Sequence, residues 1–123
     1  MIIYLLAAGL SITFIAACEK KLECTTCPSL INTPPVAKAG ADQYLTLPVN
    51  YTELNGRQSY DIDGRIYTYR WSKIGGPSVF TIANVNASLT KVNDLVAGIY
   101  EFQLEVMDPG GLYDYDSVKV TVN

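Results

Sequence analysis

Hydrophobic and polar positions divide the 123-residue chain into three regimes. Residues 1–17, MIIYLLAAGLSITFIAA, hold no Asp, Glu, Lys or Arg. Residues 18–34 mix charge with Thr, Ser, Asn and Pro and keep no sustained period of 2 or 3.6, which predicts a tether. From Pro35 onward, short alternating runs recur between turn residues. Tyr100, Phe102, Leu104 and Val106 alternate with Glu101, Gln103 and Glu105, a half-buried strand. Val118, Val120 and Val122 alternate with Lys119 and Thr121 in the final strand. Tyr67, Tyr69 and Trp71 are expected on one face of a long strand, RIYTYRWSKI. Leu45 with Leu47, then Thr52 with Leu54, outline two earlier strands. Pro48-Val49-Asn50, Asp63-Gly64, Gly75-Gly76-Pro77 and Asp108-Pro109-Gly110-Gly111 supply the turns.

No run in this third regime repeats apolar residues at helical spacing for three turns. Seven or eight short strands in about 89 residues predict an all-β, two-sheet sandwich around one core. Trp71, mid-strand, resembles the buried tryptophan of immunoglobulin-like sandwiches, and no cysteine pair lies beside it in the domain. Tyr100, directly after Asp94-Leu95-Val96-Ala97-Gly98-Ile99, resembles a tyrosine corner, whose phenol bonds back to the preceding loop. The expected organisation is 1–17 as a signal segment, 18–34 as an anchor and tether, and 35–123 as the sandwich.

Charge narrows the functional classes. All nine basic and twelve acidic residues lie from position 18 onward, for a net charge of −3. A mildly acidic surface repels a phosphate backbone, so nucleic acid is not an expected partner. The chain contains no histidine, which removes the commonest general base and metal ligand. Asp61 and Asp63 lie two apart in one loop and do not suggest carboxylates facing each other across a cleft. A non-catalytic protein is expected.

The opening apolar run is a little short for a membrane span and fits a secretory h-region. Its end, Ile15-Ala16-Ala17-Cys18, resembles the bacterial lipobox. That resemblance implies cleavage before Cys18, diacylglycerol on its thiol, and an N-terminus held by acyl chains, each buried CH2 contributing about 0.8 kcal/mol. The competing reading is an uncleaved anchor helix ending in Ala-Ala-Cys. The first four residues, Met1-Ile2-Ile3-Tyr4, lack the Lys or Arg with which export signals ordinarily begin. The implied location is the bacterial envelope, at its outer membrane. Glu19, Lys20 and Lys21 then either influence sorting between membranes or serve as solvated linker.

Lipidation of one cysteine leaves Cys24 and Cys27 as an even pair in Cys24-Thr25-Thr26-Cys27-Pro28. Zinc would need about four ligands, and haem attachment would need His where Pro28 stands. A local disulfide in an oxidising compartment and a pair of free thiols both remain open. Catalysis by the pair is disfavoured by Pro28 and by the absence of a helical pattern downstream.

Residues 32–123 resemble the PKD domain, the polycystic-kidney-disease repeat, an immunoglobulin-like sandwich. The resemblance is carried by Asn32-Thr33-Pro34-Pro35-Val36-Ala37, Gly40-Ala41-Asp42-Gln43, Leu54-Asn55-Gly56, Ser59-Tyr60-Asp61-Ile62-Asp63-Gly64 and Tyr69-Arg70-Trp71. Gly76-Pro77-Ser78, Tyr100-Glu101-Phe102 and Val106-Met107-Asp108 complete it. The family's W-x-F-G-D-G turn is replaced by a W-x-x-x-x-G-P-S form, Trp71 through Ser78. The resemblance implies a non-catalytic spacer, adhesive or protein-binding module, or an accessory to exported hydrolases. It also implies candidate calcium ligands at Asp61, Asp63 and Asp108, with Asn32 beside them; the competing reading makes the aspartates turn formers.

Nine tyrosines complete the inventory. Tyr69 and Tyr100 are assigned to the core, leaving Tyr44, Tyr51, Tyr60, Tyr67, Tyr113 and Tyr115 as surface candidates. Tyr113 and Tyr115 share a face if extended and are the candidate aromatic contact for a protein or glycan. The expected function is a non-catalytic, lipid-anchored envelope protein presenting its domain as an interaction, adhesion or spacer module toward an extracellular or periplasmic protein or glycan. The alternatives are a glycan-binding accessory beside a separate enzyme, and a fragment of a larger multi-domain lipoprotein.

Overall fold

The computed structural model describes residues 31–123. Cys18, Cys24, Cys27, the signal segment and most of the tether lie outside the described residues. All regular structure among the described residues is strand: β1 (Gln43–Leu45), β2 (Thr52–Asn55), β3 (Thr68–Gly75), β4 (Thr81–Ile82), β5 (Leu89–Asn93), β6 (Gly98–Met107) and β7 (Tyr113–Val122). They form a four-stranded sheet, β1-β7-β6-β3, and a three-stranded sheet, β2-β5-β4. The pairs are antiparallel except β1 with β7, which run parallel through Gln43↔Val120 and Leu45↔Val122.

The period-2 pattern accounts for this division. Tyr100, Phe102, Leu104 and Val106 of β6, with Val118, Val120 and Val122 of β7, point at the facing sheet and are buried. Leu54 and Val92 come from the other sheet, and Trp71 of β3 is buried among these residues. The Trp71 indole Nε1–H donates to Ala87 O at 2.9 Å, so the one polar atom of its ring system is satisfied. Tyr100 makes the corner bonds: its hydroxyl accepts Val96 N–H at 3.0 Å and donates to Val79 O at 2.6 Å.

Two side chains depart from their expected faces for one reason, that the sheet ends before them. Tyr67 precedes β3 and is exposed, unlike Tyr69 and Trp71. Its N–H bonds Met107 O at 2.7 Å, at the end of the ladder, where no facing sheet covers it. Leu47 is likewise exposed, two residues beyond the end of β1.

The Gly76-Pro77 turn explains why glycine opens the G-P-S form. Gly76 has φ +103°, and a Cβ there would stand 2.5 Å from Ile99 O. Gly98, at φ +147°, meets the Pro77 ring in the same way, at 2.8 Å. The turn and the start of β6 therefore interlock through two residues without side chains.

Before β1, residues 32–42 run as a strap rather than a strand, with one isolated bridge between Val36 and Tyr60. Its amides alternate in direction. Ala37 and Ala39 N–H groups donate to Asp114 Oδ2 and Asp116 Oδ2 of β7, at 2.9 and 2.7 Å. Val36 and Lys38 N–H groups donate the other way, to Tyr60 O and Ser59 Oγ. Asp42 accepts Lys119 N–H at 3.0 Å, so the strap covers the part of the β7 edge that β1 does not reach.

Candidate functional site

The outer face of the four-stranded sheet is built in rows set by strand register. Arg70 of β3 lies opposite Glu105 of β6, and Glu105 lies opposite Tyr115 of β7. The carboxylate of Glu105 holds both neighbours: Arg70 Nε–H donates to Oε1 at 3.1 Å and the Tyr115 hydroxyl donates to Oε2 at 3.0 Å. The Arg70 guanidinium is the main cause that holds the Glu105 carboxyl below its ordinary range. The same carboxylate, by accepting the Tyr115 hydroxyl, pushes that phenol above its usual 10.0. In the next row, Tyr113 lies opposite Met107, and its ring meets Tyr115 edge-on, centroids 5.5 Å apart at 69°. Tyr113 is 53% exposed and Tyr115 46%. Arg65 lies over the exposed Tyr67 ring, 6.0 Å from its centroid.

The sequence placed Tyr113 and Tyr115 on one face; it did not signal Arg70 and Glu105 as their neighbours. A partial signal existed in the mixed charge of the outward positions of β3 and β6, but the pairing requires the register. Tyr44, Tyr51 and Tyr60 are also exposed and belong to other parts of the surface.

The four candidate calcium residues fall into two bonded groups at the pole where the strap enters, Asn32 with Asp108 and Asp61 with Asp63. Asp108 is only 1% exposed; its Oδ1 accepts Leu112 N–H and its Oδ2 accepts Asn32 Nδ2–H at 2.8 Å. Thr33 donates both its N–H and its hydroxyl to Asp63 Oδ2, each at 2.7 Å. Asp63 N–H donates to Asp61 Oδ1 at 3.1 Å, while Asp61 Oδ2 is buried without a partner. The Thr33 hydroxyl is the main influence that lowers the Asp63 carboxyl, whereas sharing a hydrogen bond with Asp63 raises that of Asp61.

This donor set does not fit a calcium centre as it is arranged. Calcium requires six to eight oxygens turned toward one point. Here two of the three carboxylates are turned to N–H and O–H donors of the strap, which present hydrogen where a cation would need oxygen. Among the described residues no group of three or more acidic, cysteine or histidine side chains is gathered to hold a metal ion. The arrangement closes residues 32 and 33 onto the domain as a clasp.

Two facing sheets, a buried central tryptophan, a tyrosine corner and the interlocked Gly-Pro turn define an immunoglobulin-like sandwich of the PKD type. The chain belongs to the K319L-like PKD domain family, whose profile matches residues 39–122. It is 43% identical over 91 residues to the mouse Dyslexia-associated protein KIAA0319-like protein, a match covering 74% of this chain and 9% of that protein. To human Low-density lipoprotein receptor-related protein 11 it is 38% identical over 89 residues, covering 72% of this chain and 18% of the relative. The solution structure of the PKD domain from KIAA 1837 protein superposes with a TM-score of 0.66 at 42% identity, covering 71% of this chain and 84% of that one. The chain thus spans under a fifth of the length of these curated relatives. Neither relative is named for a catalytic activity.

Proposed function

We propose that this chain is a non-catalytic lipoprotein of a bacterial cell envelope, anchored through Cys18 at the outer membrane, that presents its PKD domain as an interaction, adhesion or spacer module. The observation that carries the interaction reading is the Arg70–Glu105–Tyr115 row with Tyr113 beside it. Tyr and Arg are enriched among the side chains that dominate binding energy. Here two of them are already held by one carboxylate, so docking would cost little further side-chain entropy. The anchor is supported by the chain's own Ile15-Ala16-Ala17-Cys18, which precedes the region shared with the mammalian relatives.

A partner protein suits this face better than a polysaccharide does. Sugar rings stack on coplanar aromatic strips, and the Tyr113 and Tyr115 rings stand at 69° to each other.

The test is crosslinking and pull-down from envelope extracts, with and without calcium, using the native chain and a Tyr113→Ala/Tyr115→Ala variant. A specific protein recovered by the first and lost by the second is the expected result. Equal recovery by both would remove the face from consideration. Intact-mass analysis of the native material addresses the anchor, and a chain beginning at Met1 with an unmodified Cys18 thiol would remove it.

A further inference from the structure

A groove lies at the side of the sandwich where β1 and β2, the edges of the two sheets, approach each other. Gln43 joins them. Its side chain leaves β1 on the inward side, opposite buried Val120. There its Nε2–H donates to Glu53 O of β2 at 2.8 Å and its Oε1 accepts the Thr52 hydroxyl. Beside this bridge lies a groove of about 490 Å³ lined by Gln43, Tyr51, Thr52, Glu53, Asn55 and Lys91. We propose that this groove binds an uncharged oligosaccharide. The site shares no residue with the Tyr113–Tyr115 face, and the two proposals stand or fall separately.

The charge arrangement argues for a neutral ligand. Glu53 and Lys91 lie directly opposite each other on β2 and β5, one negative and one positive group in a single row. They do not pair: Arg70–Glu105 is the only ion pair among the described residues. The Lys91 ammonium instead lies over the Tyr51 ring, 5.4 Å from its centroid. An anion drawn by Lys91 meets Glu53, and a cation drawn by Glu53 meets Lys91. An uncharged ligand rich in hydroxyls satisfies both, because a hydroxyl donates to a carboxylate and accepts from an ammonium.

The remaining lining fits the same class. Gln43 spends one N–H and one lone pair on the strand bridge and keeps one of each for a ligand. Glu53 is exposed and lines the groove, and among the described residues its carboxylate accepts no hydrogen bond. The Tyr51 ring is half-exposed, and the face opposite Lys91 would supply apolar surface for the C–H face of a sugar. A peptide would want an apolar pocket for an anchor side chain, and apart from that ring the lining is polar. Three of the lining groups, Glu53, Asn55 and Lys91, stand on paired strands, which holds them in fixed relation.

Titration of the isotopically labelled full chain with cellotetraose, chitotetraose, mannotetraose and tetragalacturonate, followed by amide chemical shifts, tests the proposal. A saturable shift of Tyr51, Glu53 and Lys91 with at least one neutral tetrasaccharide is expected. Tyr51→Ala should weaken that binding about tenfold. Glu53→Gln, which keeps the shape and removes the charge, should weaken it less and leave the thermal midpoint unchanged. Arg70→Ala, outside the groove lining, should leave binding unchanged. Absence of a saturable shift with all three neutral probes would overturn the proposal. So would tighter binding of the anionic tetragalacturonate, or binding that Tyr51→Ala and Glu53→Gln both leave intact.

Discussion

Asp116 Oδ2 lies 2.7 Å from the amide nitrogen of Ala39, a hydrogen bond across 77 positions of sequence. The carboxylate replaces the carbonyl that a neighbouring strand would have offered. Asp114 repeats the device for Ala37 two residues earlier. Both aspartates occupy inward positions of β7, in phase with Val118, Val120 and Val122. Where the strap passes the sandwich edge, β7 thus changes from apolar packing to side-chain acceptors.

Asp116→Ala should destabilise the domain by about 1–3 kcal/mol, because it leaves the buried Ala39 N–H without an acceptor. Asp116→Asn keeps an oxygen in place and should cost clearly less. Urea unfolding of the full chain gives both values, and an unchanged m-value would show that the effect lies in the folded state. Equal midpoints for Asp116→Ala and the parent chain would mean that the strap does not depend on this bond.

Tyr100→Phe separates packing from hydrogen bonding at the corner. The ring is fully buried and stacks on Phe102, 5.8 Å between centroids with 3° between planes, and phenylalanine preserves that packing. The lost hydroxyl leaves Val96 N–H and Val79 O without their bonds, an expected cost of about 1–3 kcal/mol. Hydrogen exchange should quicken at Val96 while the β6 amides keep their protection relative to global stability.

The sandwich was legible in the sequence wherever the side-chain period alone determines burial. Tyr100 through Val106 and Val118 through Val122 read correctly because each apolar residue faces a sheet along the whole strand. Trp71 read correctly for the same reason. Tyr67 and Leu47 did not, because periodicity continues past the point where a sheet stops and carries no mark of its end. The strap was illegible for a different reason: bonds from Ala37 and Ala39 to side chains 77 positions away leave no local pattern. At the pole, the sequence offered Asn32, Asp61, Asp63 and Asp108 as candidate ligands, and the structure bonds Asn32 to Asp108 and Asp63 to Asp61. The sequence could not show that Thr33 and Asn32 would take up carboxylate oxygens that a cation needs.

That clasp should depend on pH through Asp63. The Thr33 bonds depress its carboxyl below the usual 3.8, so its contribution is complete above that value and is lost as pH falls through the depressed one. Asp61 acts in the opposite sense: its raised carboxyl disfavours the folded state once ionised, and acid relieves this first. Hydrogen exchange at Thr33 should therefore stay slow from neutral pH down to the ordinary carboxyl value of 3.8 and quicken, relative to intrinsic rates, only under stronger acid. Asp63→Asn should remove this acid transition and weaken protection throughout. A transition centred above 3.8 would assign the clasp to a different group.

The Glu105 carboxylate offers a direct reading of the candidate interaction face. It raises the Tyr115 phenol above 10.0 because ionising that hydroxyl would remove a hydrogen bond and place a second negative charge beside the first. Glu105→Gln keeps a possible acceptor but removes the charge, so the Tyr115 titration should move down toward the ordinary value. Arg70→Ala should move it the other way, since the guanidinium offsets part of the field at Tyr115. The pair itself contributes little stability, because Arg70 is largely in water. Absorbance titration of the tyrosinate band, with Tyr115→Phe to assign the step, distinguishes these shifts from unfolding when followed together with circular dichroism. If Glu105→Gln leaves the Tyr115 step where it was, the row is not held by its carboxylate, and the preformed geometry on which docking was argued loses its basis.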